Sequence, residues 1–211
     1  MDILVTPGLT PYAQALAAMG ARVEDVRAGV APGLVWLLEH PPCYTAGTSA
    51  EEGDLLKPRF PIYRVGRGGR WTYHGPGQRV AYVIRDLRPE PNLRGHVQGL
   101  MHWVARALAS VGVEAAPREG RVGLWTPGEE KIAAIGVRVR SGVAFHGAAV
   151  NIDPDLQHFS GIVPCGLAGY GVTSVAQELG RTPLPVDFCD QALLEAAGDA
   201  FTETRPRRGS F

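Results

Sequence analysis

Lysine is almost missing from this chain of 211 residues. Of its 21 basic side chains, only Lys57 and Lys131 are lysines, and the other 19 are arginines. Arginine stays protonated and cannot act as a base, whereas the pKa of a partly buried lysine shifts readily. A lysine that persists in such a chain is a candidate for a role that needs an amine. Lys131 is therefore a candidate catalytic residue, with an ordinary surface lysine as the alternative.

The chain also lacks a net charge of either sign. The 21 basic side chains balance 21 acidic ones, which argues against bulk binding of nucleic acid. The charge is uneven, however, because residues 57–94 contain nine basic side chains and only two acidic ones, Asp86 and Glu90. This segment is either a docking surface for an acidic partner or a solvated basic surface.

Cysteines are few, and long apolar runs are absent. Three cysteines, an odd number and far apart, make neither a disulfide framework nor a zinc motif, and that pattern fits a reducing cytosol. The first residues lack a basic region followed by a long apolar run, so no signal peptide is expected. No run is long enough to span a bilayer. We expect a cytoplasmic protein with no metal ion and no membrane partner.

The motifs that bind nucleotide phosphates are absent as well. No G-x-x-x-x-G-K-[ST] sequence occurs. The Gly-rich stretch 66–78, GRGGRWTYHGPGQ, is not the dinucleotide fingerprint, because a predicted strand rather than a helix follows it. Glycines at this density let a backbone approach a ligand closely, and the stretch carries Arg67, Tyr73 and His74. It is predicted to be a loop between two strands that forms one wall of a small-molecule pocket. A plain Gly-rich hairpin is the alternative.

Hydrophobic periodicity predicts a mixed α+β chain. Apolar residues at helical spacing predict helices at 11–28, 93–112, 174–179 and 187–201. Short apolar or alternating runs predict strands at 3–5, 34–38, 62–65, 79–84, 122–125, 131–140 and 143–152. Ser141 and Gly142 are predicted to form a hairpin turn, whereas 39–45 is predicted to be an extended turn because of its two prolines. Without repeats or linkers, residues 1–211 are predicted to form one domain that ends in a mobile tail, RPRRGSF.

A cysteine within Val-Pro-Cys-Gly is the candidate nucleophile. Pro164 restricts the residue before it and Gly166 allows unusual backbone angles, so Cys165 is predicted to lie on a tight turn. A thiol on a constrained turn beside a cation is how proteins make a reactive thiolate. A buried core cysteine is the alternative, and it is the role predicted for Cys43 and Cys189.

Four motifs occur in the order RGGRWTYHGPGQ, KIAAIGVRVR, HGAAVNIDPDLQHF and PCG, and LLEHPPCYTAG precedes them. With them the chain resembles the lipoyl(octanoyl) transferase family over residues 34–178, the motif-bearing core. That family moves an octanoyl group from acyl carrier protein to a lysine on lipoyl domains. The resemblance implies a biotin/lipoate protein ligase-like fold, a mixed and mostly antiparallel sheet flanked by helices. It implies Cys165 as the acyl-accepting nucleophile and Lys131 as the residue that lowers its pKa. Because lysine, unlike arginine, can take up a proton, Lys131 is also the predicted general base.

The resemblance also implies the substrate contacts and the partners. The implied contacts are Arg67, Gly68, Gly69, Arg70, Trp71, Thr72, Tyr73, His74, Ala134, Ile135, Gly136, Gly147, Ala148 and Ala149. The implied partners are octanoyl-acyl carrier protein as donor, with lipoyl domains of 2-oxoacid dehydrogenases and the glycine cleavage H protein as acceptors. No cofactor is implied, and a monomer is expected. The alanine pairs 133–134 and 148–149 are predicted to leave room for the acyl tail.

Two other functions fit the same sequence. An ATP-dependent lipoate or biotin protein ligase would share the fold but would have no use for a nucleophilic cysteine. A non-catalytic acyl-binding protein would hold octanoate and form no covalent adduct.

Overall fold

The computed structural model describes residues 1–163 and 169–201. This part contains ten β-strands and four α-helices. The strands are β1 Asp2–Leu9, β2 Leu34–Glu39, β3 Cys43–Ala46, β4 Ile62–Arg64, β5 Trp71–His74, β6 Gln78–Asp86, β7 Ala116–Arg118, β8 Arg121–Trp125, β9 Lys131–Arg140 and β10 Val143–Asn151. The helices are α1 Tyr12–Ala28, α2 Leu93–Ser110, α3 Val175–Leu179 and α4 Asp190–Phe201.

Seven strands form the main sheet in the order β1-β2-β6-β10-β9-β8-β7. The β1–β2 pair is parallel, and all the other neighbours are antiparallel. The predicted hairpin of β9 and β10 is confirmed, and both residues of its turn, Ser141 and Gly142, have the positive φ angles typical of a tight hairpin. The prediction of a mixed, mostly antiparallel sheet is therefore correct.

Helices cover both faces of this sheet. Side chains alternate along a strand, so Val80, Tyr82 and Ile84 of β6 face the cluster that contains α1, while Ala81 and Val83 face the cluster that contains α2 and α4. Within the described residues, no helix is both long enough and apolar enough to cross a membrane.

Three further strands form a second sheet in the order β4-β3-β5. Of these, β4 was predicted from the sequence, whereas β3 and β5 were not. The predicted extended turn at 39–45 is wrong at its end, because β3 begins directly after the prolines. The prediction of an uninterrupted loop at 66–78 is also wrong, because β5 lies inside it and pairs with β3. Both strands are four residues long, too short for a periodic signal, and burial of Tyr44, Trp71 and Tyr73 stabilises them.

The predicted bounds of the first strand and of the second helix also differ from the structure. The first strand is eight residues long rather than three, because β1 is an edge strand whose pairing with β2 needs no buried side chains. The second helix ends at Ser110, since Gly112 has a φ of +89°. The alternation of valine and arginine at the end of β9 predicts one half-buried face, but Val139 is exposed in the structure. The predicted mobile tail and the Pro-Cys-Gly turn lie outside the described residues.

Candidate active site

A cavity of about 410 Å³ lies where the Gly-rich stretch meets the edge of β9. β9 pairs with β8 only as far as Ala133, so its edge is open from Ala134 onward. Gly68 partly covers this edge by donating its backbone N–H to the carbonyl of Val137 at 2.9 Å. Leu93 at the start of α2 and the first residues of β8 complete the wall of the cavity.

Thirteen of the fourteen implied substrate contacts line this cavity. They are Arg67, Gly68, Gly69, Arg70, Trp71, Thr72, His74, Ala134, Ile135, Gly136, Gly147, Ala148 and Ala149. Their roles as substrate contacts stay predictions, but the fold brings them together.

Two predicted residues lie elsewhere because side chains alternate along a strand. Tyr73 points to the opposite face of β5, is fully buried in the small sheet, and its hydroxyl hydrogen-bonds to Nδ1 of His158 at 2.9 Å. Ala133 does not line the large cavity, whereas Ala134 does. The room predicted for an acyl tail therefore comes from Ala134, Ala148 and Ala149.

Arg67 holds the Gly-rich wall in place. Its guanidinium is buried and donates to the carbonyls of Gly68, Arg70 and Thr45 at 2.8–3.1 Å. A Cβ at Gly136 would lie 2.9 Å from Cδ of Arg67, so this strand position has to be glycine for the arginine to pass. We therefore interpret Arg67 as a positioning residue.

A buried chain of polar side chains runs behind the cavity. Gln78 uses both of its N–H groups, donating to the carbonyl of Tyr73 and to Oδ1 of Asn151 at 2.9 Å. Its Oε1 is therefore the acceptor 2.7 Å from Nδ1 of His74, and His74 carries its proton on Nδ1. Burial, followed by the nearby His40 and then Arg67, lowers the pKa of His74 well below its usual value, so the ring is neutral. Asn151 continues the chain by donating to the carbonyl of Thr173 at 2.9 Å.

Sequence reasoning missed several aromatic side chains that line or support the cavity. Tyr12 and Tyr82 line it, and His40 lies behind Tyr82, hydrogen-bonded to its hydroxyl at 2.9 Å. His40 has no exposed surface and does not line the cavity, so it acts by packing behind Tyr82.

His146 is another missed residue, and it has the least usual backbone conformation of this group. Its φ is +64°, it is 3% exposed, and it lines the cavity. Burial and the nearby Arg67 and Arg138 lower its pKa to about 3, and its Nε2 has no partner among the described residues. Positive φ at a non-glycine residue is concentrated at functional sites. The signal available in the sequence was the His-Gly pair inside a predicted strand. Only its glycine could be interpreted, as a sign that backbone or ligand approaches the strand closely there. A Cβ at Gly147 would lie 2.2 Å from the carbonyl oxygen of Ala81.

Lys131 is buried at the first position of β9. It is 6% exposed, and its Nζ donates to the carbonyl of Val122 at 2.8 Å and lies 5.4 Å from the centre of the Trp125 ring. Gly123, with a φ of +121°, makes room for it, since a Cβ there would lie 2.5 Å from Cε of the lysine. An ordinary surface lysine is therefore excluded.

A second, much smaller pocket of about 10 Å³ adjoins this lysine. Lys131, Thr72, Gln78 and Asn151 supply polar groups to it, and Ala134 and Thr72 also line the large cavity. The lysine thus stands next to the end of the cavity that these two residues share.

The chain that follows the Pro-Cys-Gly turn runs beside Lys131. The backbone N–H of Lys131 donates to the carbonyl of Gly171 at 2.9 Å, and that of Thr173 donates to the carbonyl of Lys131 at 3.0 Å. Cys165 itself lies outside the described residues.

The other two cysteines are core residues, as predicted. Cys43 is 2% exposed and Cys189 is 1% exposed. Burial raises the pKa of the Cys43 thiol to about 12 and, with the charge of Asp190, that of Cys189 to about 11. Neither thiol is ionised near neutral pH.

The basic segment 57–94 is not one continuous basic surface. Arg64, Arg70 and Arg88 pair with nearby carboxylates, and Arg79 makes two 2.7 Å hydrogen bonds to the carboxylate of Asp190. Residues 1–163 and 169–201 contain no group of three or more His, Cys, Asp or Glu side chains arranged to hold a metal ion.

Fold and sequence both match known proteins. A crystal structure of lipoate-protein ligase A bound with ATP superposes with a TM-score of 0.78 at 18% identity, covering 96% of this chain and 86% of that one. At this identity the likeness concerns the fold, which is that of the lipoate-protein ligases. A family model for the lipoyl protein ligase A/B catalytic domain matches residues 11–197.

Closer relatives are named octanoyltransferases. That of Maricaulis maris (strain MCS10) is 56% identical over 209 residues, covering 95% of this chain and 92% of the relative. That of Chelativorans sp. (strain BNC1) is 52% identical over 216 residues, covering 96% and 87%. The chain belongs to the lipoyl protein ligase A/B catalytic domain family, in its octanoyltransferase branch.

Proposed function

We propose that this protein transfers an octanoyl group from acyl carrier protein to the ε-amine of a lysine on lipoyl domains. Cys165 is the nucleophile, Lys131 lowers the pKa of its thiol and later acts as general base, and the 410 Å³ cavity holds the acyl chain. The acceptors we propose are the lipoyl domains of 2-oxoacid dehydrogenases and the glycine cleavage H protein.

The placement of Lys131 is the observation that carries this proposal. Burying an ammonium group is costly unless hydrogen bonds and a nearby charge compensate it. Here the Nζ is held by the carbonyl of Val122 beside an acyl-sized cavity. A cation held in such a place stabilises a thiolate.

The cysteines support the assignment of the nucleophile by exclusion. Cys43 and Cys189 are buried with raised pKa values, so neither supplies a thiolate. Cys165 precedes by six residues the Gly171 carbonyl that accepts a hydrogen bond from Lys131. It is the remaining thiol in the chain, and only a few residues separate it in sequence from the segment that hydrogen-bonds to Lys131.

The reaction proceeds in two balanced steps. The Cys165 thiolate attacks the donor thioester, a new C–S bond forms, and the carrier's C–S bond breaks as its thiolate leaves with the proton of Lys131, which becomes a neutral amine. The ε-amine of the acceptor lysine then attacks the acyl enzyme, loses a proton to Lys131 and releases the Cys165 thiolate. Exchange between thioesters is nearly neutral and conversion of a thioester to an amide is downhill, so no nucleotide has to be consumed. The apolar cavity excludes water that would hydrolyse the acyl enzyme.

Transfer without nucleotide tests this proposal. Purified protein, octanoyl-acyl carrier protein and a lipoyl domain are mixed after removal of nucleotides, and the mass of the lipoyl domain is followed. We expect a gain of one octanoyl group. If transfer instead requires ATP and releases pyrophosphate from free octanoate, the protein is a ligase and the proposal is wrong. If neither condition modifies the lipoyl domain, acyl transfer is refuted.

A further inference from the structure

The small pocket beside Lys131 has the dimensions and the polar groups of a site for one oxygen atom. Its volume of about 10 Å³ is close to the roughly 10–15 Å³ that one water-sized probe requires. Its remaining walls are apolar: Ala133, Ala134, Phe159 and Val172. In such an environment a hydrogen-bond donor is worth more than it is in water.

Asn151 lines this pocket, and its hydrogen bonds fix which end of its amide is the donor. Its Oδ1 accepts from Gln78 at 2.9 Å, so its Nδ2 is the donor end of the amide. One of the two N–H bonds of Nδ2 goes to the carbonyl of Thr173 at 2.9 Å. Within residues 1–163 and 169–201 the second N–H has no acceptor, while Asn151 is 4% exposed and lines the pocket.

The hydroxyl of Thr72 is a second donor of the same kind. Thr72 is 7% exposed, and its side chain makes no hydrogen bond within the described part of the chain. It lines both the small pocket and the large cavity, so it stands where a carbonyl at the end of an acyl chain would enter. Gln78 cannot serve in this way because both of its N–H groups are already used.

We propose that Asn151 and Thr72 form the oxyanion site, donating hydrogen bonds to the thioester oxygen as it gains negative charge. This inference rests on the proposed function and assigns Asn151 a catalytic role in it. When the Cys165 thiolate adds to the carbonyl, the C=O π electrons move to the oxygen, which the two donors stabilise. The electrons return as the carrier's C–S bond breaks. The same site serves the second step, when the amine adds to the acyl enzyme.

The test compares two reactions of the same thiol. Acylation by octanoyl-acyl carrier protein passes through an oxyanion, whereas alkylation by iodoacetamide displaces iodide at a saturated carbon and does not. Both rates are measured on Cys165 by rapid quenching and peptide mass spectrometry, in the unaltered protein and in Asn151→Ala. We expect acylation to slow by about 100-fold or more, the loss typical of one oxyanion donor, while the alkylation rate stays unchanged.

Two outcomes with a folded Asn151→Ala variant would overturn the inference. Equal acylation rates would mean that Asn151 does not stabilise the oxyanion. An equal loss of both rates would assign Asn151 a structural role acting through Lys131 or the thiol. If Asn151→Ala does not fold, Thr72→Val provides the same comparison, since it removes a hydroxyl that makes no hydrogen bond in the described residues. Failure of the unaltered protein to form any acyl enzyme refutes the proposed function itself, whereas adduct formation that is insensitive to both substitutions refutes only the oxyanion site.

Discussion

Replacing Gly123 by alanine should displace Lys131 and thereby raise the pKa of the Cys165 thiol. The new Cβ would lie 2.5 Å from Cε and 2.9 Å from Nζ of Lys131, and 2.6 Å from the carbonyl oxygen of Ala133. The carbonyl of Ala133 belongs to the backbone of the sheet and cannot move easily. The lysine therefore has to move away from the carbonyl of Val122.

The size of the effect follows from these distances. A contact of 2.5 Å has to open to about 3.5 Å, so the lysine moves by roughly 1–1.5 Å. For a cation about 4 Å from a thiolate at an effective dielectric constant of about 20, such a retreat costs about 1 kcal/mol. Since one pKa unit corresponds to about 1.4 kcal/mol, the Cys165 thiol pKa should rise by a little less than one unit.

The assay is the rate of iodoacetamide alkylation of Cys165 between pH 5 and pH 10, with unfolding in urea as the stability measurement. Gly123→Ala should shift the alkylation profile upward in pH and lower the free energy of unfolding by about 1–3 kcal/mol, because alanine is strained at a φ of +121°. Gly29→Ala is the matched control. Gly29 also has positive φ, at +74°, but nothing lies within 4 Å of its Cβ position at the end of α1.

The control should lose about 1 kcal/mol of stability and keep the alkylation profile. Identical profiles for Gly123→Ala and the unaltered protein would refute the idea that the carbonyl of Val122 and the space at Gly123 set the reactivity of the thiol.

Three further predictions follow from single side chains. Lys131→Arg should keep the Cys165 thiol pKa low, because the cation remains, but should slow transfer to the acceptor by about 100-fold, because arginine cannot take a proton; equal turnover would remove the base role. Ala134→Leu should reduce kcat/KM for octanoyl donors at least tenfold relative to butanoyl donors, since it fills the cavity; an unchanged chain-length preference would contradict the acyl slot. Burial lowers the pKa of His96 to about 4, so its contribution to stability is present above about pH 6.5 and is lost as pH falls toward 4. His96→Leu should therefore lessen the loss of unfolding free energy between pH 7 and pH 5 by about 2 kcal/mol, and an unchanged slope would argue against a buried neutral ring.

The hairpin of β9 and β10 could be predicted from sequence because its signals are local. Ser141 and Gly142 determine the turn, and the flanking runs carry strand-forming residues. The register then follows, pairing Gly136 with Gly147 and Ala134 with Ala149. The small sheet could not be predicted in the same way, because β3 and β5 are stabilised by pairing with each other across 24 or more intervening residues.

The same distinction between local and long-range signals applies to the residues of the candidate site. Lys131 was identifiable because lysine is so rare in the chain, and the Gly-rich wall because glycine is so dense there. Asn151 gave no such signal, since its importance depends on Gln78 and Thr173, which are distant in sequence. Tyr73 shows the opposite error, because a motif names consecutive residues, whereas the Tyr73 side chain points to the face of β5 away from the cavity.

The acyl enzyme is the most direct test of the central claim. The unaltered protein is incubated with octanoyl-acyl carrier protein, without ATP and without an acceptor, and its mass is then measured intact and by peptide. We predict one octanoyl group, on Cys165, that hydroxylamine removes, and none on Cys165→Ala. An octanoyl adduct that persists on Cys165→Ala, or its absence from the unaltered protein while transfer to a lipoyl domain proceeds, would contradict the account.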